Sequence, residues 1–231
     1  MCGRYNVIDS PQIQRLCEIL GIELHQLRLS PDISPASVIS IVRQTLQGRL
    51  VSDAVWWLML DPDTGKPTKY TSFNSRADKL HVPRSLAYRP YRQSRCIIPA
   101  SAFVEGLGDG KTYHKIELED QAIAFGGLYR EYINPATGER HIGASIITLG
   151  PLAPWSDVHP DSMPLMLPSD NPEVLSAWLD PQVTDVNQFE PLLSPQVGST
   201  QLITPIDGPS KWRPIGDCRK LAQDGIFKSC S

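Results

Sequence analysis

The chain begins Met1-Cys2-Gly3-Arg4-Tyr5, which puts a reactive side chain where chain ends are usually tolerant of change. An initiator methionine is commonly trimmed before a small residue, and trimming here would leave Cys2 with a free α-amine beside its thiol. The amine titrates near pH ~8 and the thiol near ~8.5, so both are partly nucleophilic at neutral pH. Arg4 lies two residues further on. Asn74 and Arg76 stand in FNSRAD, Glu105 ends the apolar run of ASAFVEG, and His159 stands in SDVHPDSMPLMLP. Each has a plain alternative use. Glu105 could face a turn, Asn74 could close an Asx-turn, His159 could pack against prolines and Arg76 could sit on the surface.

The elements that must position these residues can be read from pattern. Asp9-Ser10-Pro11 followed by IQRLCEILG predicts a capped helix, with Ile13, Leu16, Cys17 and Leu20 on one face and Gly21 as its stop. Strands are predicted over 37–43, 50–60, 95–105, 112–120, 121–132 and 141–149, separated by turns such as DPDTGKP, GDGK and NPATGE. A second helix is predicted from Asn171-Pro172 through EVLSAWL and a third around DVNQFEPLL. Many strands with few helices give an α+β class, a mainly antiparallel β barrel or sandwich core with flanking helices. No repeat or boundary divides the chain, so residues 1–231 read as a single domain whose last ~15 residues form a tail.

Composition narrows the function classes. With 231 residues, 41% hydrophobic and 20% charged, the chain is long and apolar enough for a substantial core. Its longest apolar run, AVWWLML, is too short to span a bilayer, and no signal peptide is evident. A cytoplasmic monomer is therefore expected. Five cysteines without a CxxC pair argue against a disulfide framework and a zinc site. Cys17 and Cys96 read as buried hydrophobes, and Cys218 and Cys230 as incidental tail thiols. No metal or organic cofactor is indicated.

Charge is informative by region. The net charge of −3 gives no global reason to bind nucleic acid, yet residues 76–95 carry Arg76, Lys79, Arg84, Arg89, Arg92 and Arg95 against Asp78. That segment is +5 while the remainder is −8. Tyr88 and Tyr91 interleave with the arginines, a composition suited to single-stranded nucleic acid as well as to a solvated basic loop.

Taken together, MCGRY, the N-x-R-x-D of Asn74 to Asp78, the R-C…A-F-V-E of Arg95 to Glu105 and the H…MP of His159 to Pro164 resemble one family. This is the SOS-response-associated peptidase (SRAP) domain, whose members are also called abasic-site-processing proteins. The resemblance implies that the mature Cys2 traps abasic sites in single-stranded DNA. Its amine would form a Schiff base with the opened sugar's aldehyde, and its thiol would then close a thiazolidine ring. Only a cysteine at the true N-terminus offers both nucleophiles on adjacent carbons. Glu105 would shuttle protons, His159 would be a second acid/base group, and Asn74 would orient Cys2 or the aldehyde oxygen. Arg4, Arg76, Arg84 and Arg89 would hold phosphates, and Trp56 or Trp57 would stack a base. The partner implied is single-stranded DNA containing abasic sites, with the protein nucleoid-associated when bound to it.

Three positions depart from the family pattern. Glu105 lacks flanking aromatics, being set in F-V-E-G. The His159 loop reads H-P-D-S-M-P, one residue longer than usual and without its arginine. Asp32 replaces a frequent asparagine and would weaken DNA binding unless it is paired. Other readings are an N-terminal-nucleophile amidohydrolase, an autopeptidase or lyase activity of the same site, and a non-covalent single-strand binder using residues 76–95.

Overall fold

The computed structural model describes residues 3–230. Its elements run β1 (Arg4–Val7), α1 (Pro11–Leu20), β2 (Ser30–Ile33), β3 (Val38–Thr45), β4 (Gly48–Val55), β5 (Asn74–Arg76) and α2 (Tyr88–Gln93). They continue with β6 (Arg95–Ala100), β7 (Ala102–Gly106), β8 (Tyr113–Leu118), β9 (Ile123–Ile133), β10 (Arg140–Leu149), β11 (Met163–Pro164) and β12 (Met166–Leu167). The last are α3 (Pro172–Leu179), β13 (Gln201–Ile206), β14 (Arg219–Leu221) and β15 (Phe227–Ser229). Among the described residues no helix is long and apolar enough to cross a membrane.

The class is α+β with a mainly antiparallel core. One sheet of seven strands has the order β15-β14-β13-β8-β7-β1-β2. In the second sheet β10 pairs with both β4 and β9, so β10-β4-β3-β6-β9 closes into a barrel. Closure removes the exposed edges that an open sheet of this size would carry. The β10–β4 and β10–β5 pairings are parallel.

Local chemistry accounts for the helix ends. The Ser10 hydroxyl accepts from the Ile13 amide at 3.3 Å, Pro11 occupies the first turn, and Gly21 turns left-handed at φ 63°. The helix buries Ile13, Leu16, Cys17 and Leu20, as its periodicity predicts. The expected third helix is a 3-10 segment, Val186–Leu193, because Pro191 cannot donate to a continuing α-helix.

Two predicted strands are cut short. Residues 95–105 form two strands in different sheets, broken at Ser101, whose amide donates to the Asn6 carbonyl at 2.8 Å. Cys96–Ala100 and Ala102–Val104 are apolar without alternation because both halves are buried on both faces. The strand predicted over 50–60 ends at Val55, and Trp56, Leu58 and Leu60 continue into the core from a loop.

The C-terminus is not a tail. β14 and β15 form a hairpin that supplies two strands at one edge of the seven-stranded sheet, and a Cys218–Cys230 disulfide closes it. The hairpin pairing brings these two Cα atoms to 5.6 Å, a proximity that cysteine spacing alone does not reveal.

Arg95 belongs to the basic segment in sequence but to the core in space. It is 3% exposed and donates to the carbonyls of Trp178, Tyr91, Asp180 and Val183 at 2.7–2.9 Å. One guanidinium thereby ties α2, α3 and the turn after α3 onto β6. Removing it leaves buried carbonyls without donors. Arg95→Ala is expected to cost about 3 kcal/mol or more in urea unfolding. The exposed Arg89→Ala should cost no more than about 0.5 kcal/mol.

Candidate functional site

Glu105 sits near the end of β7, 2% exposed, on the same inward face as Phe103. Burial pushes its carboxyl up from the ordinary 4.5 to about 7, so both protonation states are populated near neutral pH. β1 runs antiparallel to β7 with Arg4 opposite Val104 and Tyr5 opposite Phe103. That register carries the start of the chain toward Glu105. Cys2 itself lies outside the described residues.

Tyr5 holds the register. It is 1% exposed and packs edge-on against Trp56 at 5.0 Å and Phe125 at 6.0 Å between ring centres. Tyr5 is therefore the anchor of the MCGRY segment, a role that alternation of inward and outward residues along β1 assigns to it.

His159 meets Glu105 from a loop. The segment begins with a short 3-10 turn, Ala153–Trp155, and the His159 amide donates to the Trp155 carbonyl at 2.9 Å. Trp155 is fixed by its indole N–H, which donates to the Gln201 side-chain oxygen at 2.8 Å. His159 Nδ1 lies 2.6 Å from the Gly106 carbonyl and 3.9 Å from Glu105 Oε2. A carbonyl only accepts, so Nδ1 carries the proton. Burial lowers the ring's pKa, opposed by the Gly106 bond, which makes the neutral form dominant at pH 7. Nε2 is then the basic nitrogen.

Asn74 and Arg76 reach the site from the barrel. β5 pairs with one edge of β10 and β11 with the other, and Thr148 is level with both Arg76 and Pro164. The N-S-R and H…MP segments, 85 residues apart from Asn74 to His159, are thus brought to the two sides of one strand. A 2.8 Å hydrogen bond between the Ser75 and Ser145 hydroxyls holds β5 in place.

From Asn74 a groove of about 1090 Å3 opens along the surface. Arg76, Lys79, Arg84 and Arg89 line it, together with Tyr70, Tyr88 and Arg130. Arg84 and Arg89 are exposed, and Arg76 forms a 2.9 Å ion pair with Asp78 at the surface. The basic segment is divided by α2. Tyr91 is fully buried, whereas Tyr88 faces the groove with the Arg92 guanidinium stacked 3.8 Å over its ring. Only Tyr88 of the two tyrosines keeps the position expected of both.

Two further expectations are revised. Trp56 cannot stack a base, because it is 0% exposed and its indole N–H donates to the Phe73 carbonyl at 2.9 Å. Trp57, half-buried beside Phe73, and Tyr70, 62% exposed on the groove, are the aromatics nearer the surface. Arg4 forms an ion pair with Asp32, and the Trp212 indole N–H donates to the other Asp32 oxygen at 3.2 Å. The acidic departure at position 32 is therefore paired, and it engages the arginine beside the N-terminus.

A family model described as SOS response associated peptidase (SRAP) matches residues 1–207. "Abasic site processing protein YobE" of Bacillus subtilis (strain 168) is 30% identical over 206 residues, covering 84% of this chain and 89% of the relative. "Abasic site processing protein YoaM" of the same organism is 29% identical over 209 residues, covering 84% and 86%. A crystal structure of a Bordetella bronchiseptica protein superposes with a TM-score of 0.68 at 20% identity, covering 89% of this chain and 99% of the other. One from Bacteroides thetaiotaomicron gives 0.63 at 19%, covering 89% and 92%.

The raised Glu105 pKa carries a stability consequence with a definite sign. The folded protein binds a proton more readily than the unfolded chain between pH 4.5 and about 7, so stability falls across that window and stays lower above it. Glu105→Gln is expected to raise unfolding free energy at pH 8 by up to about 3 kcal/mol and to give no gain at pH 4. Urea unfolding at the two pH values checks this.

Proposed function

The chain belongs to the SOS response associated peptidase (SRAP) family, and from that premise we propose that it processes abasic sites in single-stranded DNA by covalent capture on Cys2. The observation that carries the reading is Glu105, a buried carboxyl titrating near neutrality on the strand that pairs with the first strand of the chain.

In this reading Met1 is removed and the α-amine of Cys2 attacks the C1′ aldehyde of the opened sugar. Glu105 accepts the proton lost from the amine and returns it to the carbinolamine oxygen, which leaves as water. The Cys2 thiol then adds to the imine carbon while its proton passes to nitrogen, closing the thiazolidine. A carboxyl with a pKa of about 7 suits both directions of transfer better than one at 4.5. His159 Nε2 is a second base, oriented by the Gly106 carbonyl through Nδ1–H. Asn74, at the head of the groove, supplies hydrogen bonds to the aldehyde oxygen or to Cys2.

The groove gives the strand its path. Arg76, Arg84 and Arg89 face phosphates, and Tyr88 and Tyr70 offer ring faces to unstacked bases. Arg4, paired with Asp32, holds the first strand and meets phosphate only in exchange for that partner. Peptidase and lyase activities are branches of the same site. The lyase branch follows if the Schiff base undergoes β-elimination before the thiol closes the ring.

Intact mass spectrometry tests the proposal directly. Protein lacking Met1, mixed with single-stranded DNA carrying one abasic site, should gain the strand's mass minus one water. Intact DNA and the Cys2→Ala protein should give no such species. A processed protein that binds the abasic strand yet forms no adduct sinks the covalent reading. On intact single strands, the Arg84→Ala, Arg89→Ala double variant should weaken binding. Its salt slope should fall by roughly 0.7 for each phosphate that the variant no longer neutralises.

A further inference from the structure

The acid/base chemistry assigned to Glu105 raises a problem of access. The carboxyl is 2% exposed, and although it cycles one proton within the reaction, it can accept that proton only if it is already ionised. A protonated Glu105 must therefore first lose its proton from a buried position. On β8, the strand next to β7, His114 is the register partner of Glu105. Directly opposed residues of an antiparallel pair share a face, with Cβ atoms about 4.5–5.5 Å apart. His114 shares the inward face of Ile116 and Leu118, and the ring is 5% exposed.

Two imidazoles therefore flank Glu105, and they differ in what they already do. His159 donates its Nδ1–H to the Gly106 carbonyl. His114 Nδ1 is buried and has no hydrogen-bond partner among the described residues. A buried nitrogen left in that state costs stability, and so calls for an explanation. We propose that His114 is a positioning residue that acts through Glu105, relaying its proton between the buried carboxyl and the Asp157–Arg219 ion pair at the protein surface. The inference rests on the covalent reading above.

The groups around the ring support a path with two ends. From β7 comes Glu105. From β14, Arg219 acts on His114 and lowers its pKa, adding to the larger effect of burial. From the loop before His159, Asp157 acts in the opposite sense. Asp157 and Arg219 pair at 2.6 Å, and the Asp157 side chain is 55% exposed. Pro205, the partner of His114 on β13, brings no titratable group. Tyr113 and Lys115 project to the opposite face of β8. A neutral ring has one protonated and one basic nitrogen, so it can accept a proton at one and release another at the second. In the deprotonating direction the Glu105 carboxyl proton passes to the basic ring nitrogen. The other ring N–H then gives its proton to water beside Asp157, and the neutral ring is restored. Reprotonation reverses each transfer.

The decisive experiment is the pH–rate profile of adduct formation for wild type, His114→Phe and His114→Ala, with binding to undamaged single strands measured in parallel. The relay predicts a 10- to 100-fold slower covalent step in both variants. Strand affinity should be unchanged, and added imidazole should restore rate to His114→Ala in proportion to its free-base fraction. The exposed Asp157→Asn variant, which does not disturb the core, should slow the step several-fold and flatten its pH dependence. A wild-type rate and profile in His114→Phe overturns the relay. So does a rate loss matched by equal loss of strand binding with no imidazole rescue. If the His114 variants do not fold, an unchanged profile in Asp157→Asn overturns it alone. Wild-type protein that forms no adduct refutes the covalent reading first, and the relay with it.

Discussion

The position of the first strand is the constraint on which the rest depends. A short strand at a chain end would fray without tertiary contacts. Here Tyr5 is wedged among Trp56 and Phe125, and the β1 backbone is paired on both sides, with β2 and with β7. A slip of one residue would turn Tyr5 out of the core and Arg4 into it. The aromatic contacts therefore set the register in which Arg4 and Tyr5 meet β7. Phe103, which continues the cluster to Trp155, ties the same packing to the loop that carries His159.

Electrostatics is arranged in two zones. In the interior, Glu105, His114 and His159 are all deprived of solvent, and burial moves each toward its neutral form. Such a layer holds little net charge. Outside, the groove gathers exposed arginines on a chain whose net charge is −3. The Asp32–Arg4 pair is bonded also by Trp212. The acidic residue thus anchors the first strand and the loop after β13 to one another.

The C-terminal hairpin belongs to this support. β14 carries Arg219, which pairs with Asp157 in the loop leading to His159 and stacks 4.6 Å over the Phe227 ring of β15. The Cys218–Cys230 bond closes the hairpin and limits the states available when it unfolds. Residues beyond 207, where the family match ends, are therefore mechanically joined to the loop that holds a candidate acid/base group.

Local rules were enough for much of this. The cap and face of α1, most strands, and the order of the chemical motifs follow from turn residues, periodicity and spacing, all short-range properties of the chain. The sequence by itself also marked Glu105 as a carboxylate out of keeping with its apolar neighbours, and Asp32 as needing a partner. Tertiary structure decided the rest. It buried Tyr91 while leaving Arg89 exposed and Tyr88 on the groove, because α2 has one face against β6 and β9 and the other on the groove. It buried Arg95 at the start of β6 among four carbonyls. It sent Trp56 inward, split one apolar run between two sheets, and paired two cysteines that looked incidental. It also placed His114 opposite Glu105. Strand register across a hairpin and closure of a barrel are long-range pairings, and they determine which side chains meet when no local pattern does.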